Sequence, residues 1–259
     1  MRPVTWFCPE VDSGEIERFV RDGFIRIPSC VPRETAAQCE ELLWAQIEAE
    51  PDDPATWTRP VYWVGGMAQE PFTAAANQPV LLDAFDALVG PGRWAPRTEL
   101  GSFPLRFPHE EEPDDAGWHI EGSYTPPGET GFWTNVHSRG RALLMLFLFT
   151  DVDEHNAPTR VRVGSHRDAY AVLAPYGERG AWGNELGPRL AAASAHREQV
   201  LATGKAGDVY LCHPFLVHAA QPHHGDRPRF MGQPALHPSE PYFQSGPFVD
   251  SAYPVARHI

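Results

Sequence analysis

The sequence predicts a mainly β fold with flanking helices, and three observations carry that prediction. After Gly92 the apolar residues fall in short or alternating runs separated by Gly, Pro and Asp clusters, the pattern of short strands and turns. Before Gly92 the apolar spacing is helical. Twenty-seven prolines in 259 residues multiply turns and edges and leave little room for the long helices of a bundle.

Asp12 and Ser13 are placed to cap a helix that carries Ile16, Phe19 and Val20 on one face. Arg21-Asp22-Gly23 then turns into an alternating, strand-like stretch, residues 24–28. Pro32 opens a second helix with Leu42, Leu43 and Ile47 near helical spacing, so helix dominates residues 12–49. Residues 51–60 hold three prolines and read as a loop, and residues 77–89 as a third helix ended by Gly90-Pro91-Gly92. Strands are expected at residues 98–107, 118–120, 141–151, 160–163, 208–211, 216–219 and 229–235, with a helix-bearing insertion over 169–196. Strands of this length and spacing argue for a β-sandwich or barrel. One domain over residues 1–259 fits the length: a mainly helical buttress (1–92), then a β core (93–240) with an insertion near 169–200.

The formal net charge of −13 disfavours a nucleic-acid binder, which needs a basic face, and disfavours attraction to an anionic membrane. Arginine supplies 20 of the 21 basic residues, leaving Lys205 as the single lysine. The longest apolar run, residues 142–149, is far short of the ~20 residues of a membrane helix. The cysteines, Cys8, Cys30, Cys39 and Cys212, show no C-x-x-C spacing and no secretory signal precedes them, so free thiols and a soluble, cytoplasmic protein are expected.

Histidine carries the chemistry. A His-x-Asp/Glu pair on a strand presents an imidazole and a carboxylate on the same side, two ligands for a first-row metal. Five such pairs occur: His109/Glu111, His119/Glu121, His166/Asp168, His196/Glu198 and His224/Asp226. The first opens an acidic run, residues 110–115, that reads as a solvated loop; the third looks like a turn into a helix; the fourth has helical composition; the fifth lies in a loop. Only His119/Glu121 has strand character, with Trp118 and Ile120 facing a core and Gly117 and Gly122 bracketing the pair. A triad needs a third ligand, for which His218, 99 residues downstream in an apolar stretch, is the leading candidate and His213 the competitor. Arg229 lies eleven residues after His218, where a returning strand brings its guanidinium near the metal to grip a dicarboxylate; Arg227, just before a proline, is the alternative. Each of these residues also has an ordinary structural reading, as a satisfied histidine or a solvated arginine.

These motifs together resemble the phytanoyl-CoA dioxygenase-like family of Fe(II)/2-oxoglutarate oxygenases. The resemblance rests on Asp22-Gly23-Phe24-Ile25-Arg26-Ile27, Trp118-His119-Ile120-Glu121-Gly122, Asn156-Ala157-Pro158-Thr159 with Val163-Gly164-Ser165-His166, and a closing segment of Gly207-Asp208-Val209, His213-Pro214, His218 and Arg227-Pro228-Arg229. Four weak motifs in the right order make a specific match. The resemblance implies a double-stranded β-helix, a jelly-roll or cupin-like core. It implies Fe(II) held by His119, Glu121 and His218, and Arg229 on the distal carboxylate of 2-oxoglutarate. Consumption of O2 would release succinate and carbon dioxide and oxidise, most often hydroxylate, a small molecule.

Three departures stand out. Glu121 occupies the position usually held by aspartate. Ala220 stands where some members carry a hydroxyl that helps hold the cosubstrate; Thr134 or Arg106, the latter thirteen residues before His119, are candidates to replace it. Ala157 follows Asn156 where glycine is usual. A carboxylate at position 121 argues against a halogenase, whose halide needs that coordination site. An acidic chain with one lysine gives little reason to expect coenzyme A, so the expected substrate is a small metabolite of the kind met in natural-product biosynthesis. Tyr124, Phe132 and Trp133 follow the metal-binding pair as candidate pocket aromatics. Two rival readings stand beside this one: a catalytically silent β-helix protein that binds a ligand or metal, and a zinc hydrolase, which would lack the H-E-x-x-H base and leave Arg229 unexplained.

Overall fold

The computed structural model describes residues 11–138 and 140–239, so Cys8 and both ends of the expected domain lie outside the described residues. The first half runs α1 (Ser13–Asp22), β1 (Phe24–Ile27), α2 (Arg33–Trp44), β2 (Val61–Val64), α3 (Glu70–Ala76), α4 (Pro79–Leu88), β3 (Phe103–Arg106) and β4 (Trp133–Thr134). The second half runs β5 (Leu143–Leu148), β6 (Arg160–Arg162), α5 (His166–Leu173), β7 (Ala181–Trp182), α6 (Gly183–Ala193), β8 (Gln199–Leu201), β9 (Val209–Cys212), β10 (His218–Ala219), β11 (Met231–Gly232) and β12 (Ala235–Leu236).

Local chemistry sets the ends of α1. The Asp12 carboxylate accepts from the Glu15 N–H at 2.9 Å, and Gly23 closes the helix at φ 85°. Glycine is needed there twice over, because a Cβ would also come within 2.6 Å of His166 Nδ1.

The principal sheet has the antiparallel order β1-β9-β5-β11, with β12 also paired to β5. β5 is its centre and is buried along its whole length, which accounts for the unbroken apolar run in the sequence. Alternation splits its side chains. Leu143, Met145 and Phe147 join Val209, Leu211, Ile25 and Ile27 in one core with residues of α2, α3 and α4. Leu144, Leu146 and Leu148 face the other way, with Tyr210, Cys212, Met231 and Val161 of β6. Each such leucine contributes about 1.5–3 kcal/mol by leaving water. Val161 belongs to a second antiparallel sheet, β10-β6-β8, so that the inner cluster lies between two sheets. Two short pairs, β2 with β3 and β4 with β7, complete the sheet structure among the described residues.

Several expectations are corrected. The second helix stops at Trp44 rather than reaching residue 49. β2 and α3 follow the proline-rich loop, where the sequence had suggested no element. Residues 118–120 form no strand of their own; a single bridge, His119 to His218, carries the pairing. His196 lies beyond the end of α6, and Glu198 leads into β8 rather than extending a helix. Among the described residues no helix is long and apolar enough to cross a membrane.

His166 begins α5 with its ring buried 4.9 Å from that of His213. Burial, helped by Arg167 and Arg197 and opposed by the Val20 carbonyl and Asp168, pushes its pKa down to about 4. The folded protein therefore protonates this ring at lower pH than the unfolded chain, whose histidines titrate near the ordinary 6.5. Between those values the unfolded state binds more protons, so stability is full above the window and falls as pH drops through it. Urea titrations at intervals across that window should show this loss, and His166→Gln should reduce it while leaving the share due to His223, which burial also pushes down to about 4.

Candidate metal centre

The centre is built on one backbone bridge. His119 N–H donates to His218 C=O at 2.9 Å, and His218 N–H donates to His119 C=O at 3.0 Å. The bridge sets the two rings side by side with centroids 4.4 Å apart. Ile120 is buried and Trp118 half-buried, its indole under the guanidinium groups of Arg160 and Arg162 at 4.9 and 4.1 Å. With those two side chains committed to packing, His119 and Glu121 share the opposite direction.

Both imidazoles are held in one tautomer. His119 Nδ1 lies 2.8 Å from the Gly117 carbonyl and His218 Nδ1 2.9 Å from the Leu216 carbonyl. A carbonyl only accepts, so each Nδ1 carries the hydrogen and each Nε2 keeps its lone pair. Among the described residues His218 Nε2 is buried without a hydrogen-bond partner, and it lies 3.5 Å from Glu121 Oε1. Ligand atoms of His119, Glu121 and His218 all fall within 4.8 Å of one another.

The protonation states suit a cation. Burial and the neighbouring His218 push the His119 pKa down, against the pull of Glu121, so the ring is neutral. Burial alone would push Glu121 up. The Arg141 guanidinium, 3.3 Å from Oε2, is the largest influence in the other direction, and the carboxyl is held well below its ordinary range. Cys212 stays a neutral thiol, pushed up by burial and by the Glu121 charge. Two imidazoles with their Nδ1 atoms committed to carbonyls, and one anionic oxygen between them, fit a divalent first-row metal.

His213 takes no part in the trio. Its Nδ1 accepts from the Phe215 N–H at 3.0 Å, and its ring packs against Phe19, His166 and Phe215.

A second group of polar atoms is buried where β3 meets the chain entering β11. Arg106 and Arg229 pair through backbone bonds of 3.0 and 2.8 Å, and both side chains are almost fully buried. Arg229 donates to the carbonyls of Ala157 (3.0 Å) and Pro104 (3.1 Å), while Arg227 is exposed. Arg106 donates to Asp115 at 2.5 Å. Nε of Arg229, and Nε and Nη1 of Arg106, have no hydrogen-bond partner among the described residues. Asp115 thus pairs with Arg106, and Arg229 has no carboxylate within ion-pair distance among the described residues. Burial, then Arg106, pushes the Arg229 pKa well down, with Asp115 in partial opposition. An anion bound there would relieve that imbalance.

The remaining candidates are more dispersed. Thr134 is buried and its hydroxyl lies 3.0 Å from that of Ser123, two residues past Glu121. Tyr124 directs its hydroxyl to the Glu178 carbonyl at 2.6 Å, and Trp133 directs its indole N–H to the Thr130 carbonyl at 3.0 Å. Phe132, expected in a pocket, is instead 78% exposed. It borders Gly122, where a Cβ would meet the Phe132 Cβ at 3.1 Å. Two residues were not foreseen. Arg141 had no motif to mark it, and Asp115 was read as part of a solvated acidic run. A cavity of about 910 Å³ lined by Arg33, Trp44, Trp57, Asp151 and Lys205 shares no residue with the trio.

A family model described as phytanoyl-CoA dioxygenase (PhyH) matches residues 19–231. The chain belongs to that family. As a member it is an iron- and 2-oxoglutarate-dependent oxygenase. Solved structures share the fold at low identity. EctD from S. alaskensis with bound Fe is 20% identical, with a TM-score of 0.58 over 94% of this chain and 84% of that one. HygX from Streptomyces hygroscopicus with nickel, 2-oxoglutarate and hygromycin B bound is 13% identical, with a TM-score of 0.55 over 88% of each chain. The non-heme alpha ketoglutarate dependent carbocyclase SnoK from nogalamycin biosynthesis is 17% identical, with a TM-score of 0.52 over 91% of this chain and 88% of that one. No curated protein sequence matches the chain.

One departure from the family pattern has a visible cost. Ala157, at the position where glycine is usual, adopts φ 49° while its carbonyl anchors Arg229. Ala157→Gly should raise stability by about 0.5–1 kcal/mol in urea unfolding, the relief of left-handed strain outweighing the added backbone entropy.

Proposed function

We propose that this PhyH-family oxygenase hydroxylates a small metabolite at a centre formed by His119, Glu121 and His218. The observation that carries the proposal is the presence of two groups left without hydrogen-bond partners among the described residues, His218 Nε2 and the guanidinium nitrogens of Arg106 and Arg229. The first suits a metal and the second suits a carboxylate. In this reading the two sheets are the halves of a double-stranded β-helix within one domain, with the N-terminal helices as a buttress.

Fe(II), with 2-oxoglutarate and O2, supplies the oxidant when bound, and succinate and carbon dioxide are the coproducts. The protein's own groups do the rest. His119 and His218 offer Nε2 because the Gly117 and Leu216 carbonyls hold their Nδ1 hydrogens. Arg229 grips the distal carboxylate of 2-oxoglutarate. Arg106, held by Asp115, stands in for the hydroxyl absent at Ala220, with Thr134 oriented by Ser123 as a further polar contact. Tyr124 and Trp133 border the substrate side, and Phe132 contributes only where a substrate extends to the surface. Substrates of natural-product type are favoured, since the neighbouring structures' names refer to nogalamycin biosynthesis and hygromycin B.

The missing hydroxyl at Ala220 favours one alternative, a silent metal- or ligand-binding protein. Turnover of 2-oxoglutarate to succinate separates the two. The unmodified protein with Fe(II) should form succinate slowly without substrate, and His119→Ala and His218→Ala should form none. Arg229→Ala and Arg106→Ala should each raise the 2-oxoglutarate requirement by about 10–100-fold, the worth of a lost charge-assisted contact. Full activity of His218→Ala contradicts the assignment, and absence of succinate from the unmodified protein supports the silent alternative.

A further inference from the structure

The two oxygens of Glu121 are not equivalent. Oε1 lies 3.5 Å from His218 Nε2, on the side of the histidine donors. Oε2 lies 3.3 Å from Arg141 Nη2. The Arg141 side chain is itself anchored beside the centre, since its Nε donates to the Gly122 carbonyl at 3.3 Å. Its backbone is pinned just ahead of β5. The Arg141 N–H donates to the Ser138 carbonyl at 3.2 Å, and the Ser138 hydroxyl donates to the Arg141 carbonyl at 2.8 Å. The guanidinium therefore presents a fixed cation whose nearest carboxylate oxygen is Oε2.

We propose that Arg141 is a positioning residue that retains Oε2 of Glu121, so that this glutamate ligates the metal through Oε1 alone. The inference rests on the metal reading of the trio and adds a requirement specific to this chain. Glutamate carries one more methylene than the aspartate usual at this position, and that reach lets both oxygens approach one cation. A carboxylate bound through both oxygens takes an extra coordination position. An octahedral ion with three protein ligand atoms keeps three positions open, two for a chelating 2-oxo acid and one for O2. A fourth protein donor removes one of them. By engaging Oε2, Arg141 keeps the longer ligand compatible with a chelating cosubstrate. Its Nη1, buried and without a hydrogen-bond partner among the described residues, remains available to a further acceptor at the centre.

The test uses the full chain with Co(II) as the probe metal and 2-oxoglutarate added afterwards, each titrated by calorimetry, with the visible absorption of Co(II) recorded alongside. Arg141→Met should bind Co(II) within about threefold of the unmodified protein but bind 2-oxoglutarate about tenfold or more weakly. Its Co(II) absorption should respond less to added 2-oxoglutarate than that of the unmodified protein, because one of the two chelation positions is already taken. Arg141→Lys, which keeps a cation, should recover most of both changes. An unchanged 2-oxoglutarate isotherm and Co(II) spectrum in Arg141→Met overturns the inference. So does an Arg141→Lys variant as impaired as Arg141→Met, which marks a packing role. Failure of the unmodified protein to bind Co(II) is a different result, and it removes the metal reading on which the inference stands.

Discussion

Two backbone hydrogen bonds exchanged between His119 and His218 join segments 99 residues apart, and the geometry of the centre follows from them. They bring two imidazoles to a 4.4 Å ring separation and continue the β10-β6-β8 sheet by one short segment. Alternation along that segment then delivers Glu121 to the same side as His119. The bridge stays in place because its flanks are packed, with Ile120 in the core and His218 between the buried Val217 and Ala219. The Nδ1 contacts to Gly117 and Leu216 finish the arrangement by fixing which nitrogen of each ring is free.

Electrostatics around the centre runs against the charge of the whole chain. A protein of net charge −13 buries Arg106 and Arg229 against each other with one carboxylate, Asp115, paired to Arg106. It also sets Arg141 against Glu121. Buried guanidinium groups without full partners are costly, and they persist where an anion or a ligand completes them. The same accounting explains why Arg229 rather than Arg227 is the inward arginine. Arg227 precedes a proline in a turn and stays exposed, while Arg229 leads into β11, where the paired backbone turns its side chain inward.

Much of this was legible in the sequence because it is local. The continuous apolar run of β5 and the cap and turn of α1 follow from short-range rules, as does the His119/Glu121 spacing. The structure sets His218, and not His213, beside His119 and Glu121, and an apolar stretch ending in histidine is what a short buried strand looks like. What escaped notice depends on distant partners. Arg141 and Glu121 lie twenty positions apart, and nothing in the spacing marks the pair. Asp115 closes an acidic run whose other members are solvent-facing, and only the burial of Arg106 gives it a role. β4 and β7, two residues each, pair across the insertion and carry no periodicity of their own. Ala157 stands where the resemblance to the family implies glycine, and its left-handed backbone, φ 49°, shows what that departure costs.

The central claim is that these three side chains, and not the other buried histidines, form the iron site. Its most direct test is anaerobic addition of Fe(II) and then 2-oxoglutarate, followed by the visible charge-transfer absorption of a 2-oxo acid chelated to Fe(II). The account predicts that the band forms in the unmodified protein and in His213→Ala but not in His218→Ala. A band that survives in His218→Ala, or that disappears in His213→Ala while that variant remains folded, would contradict it.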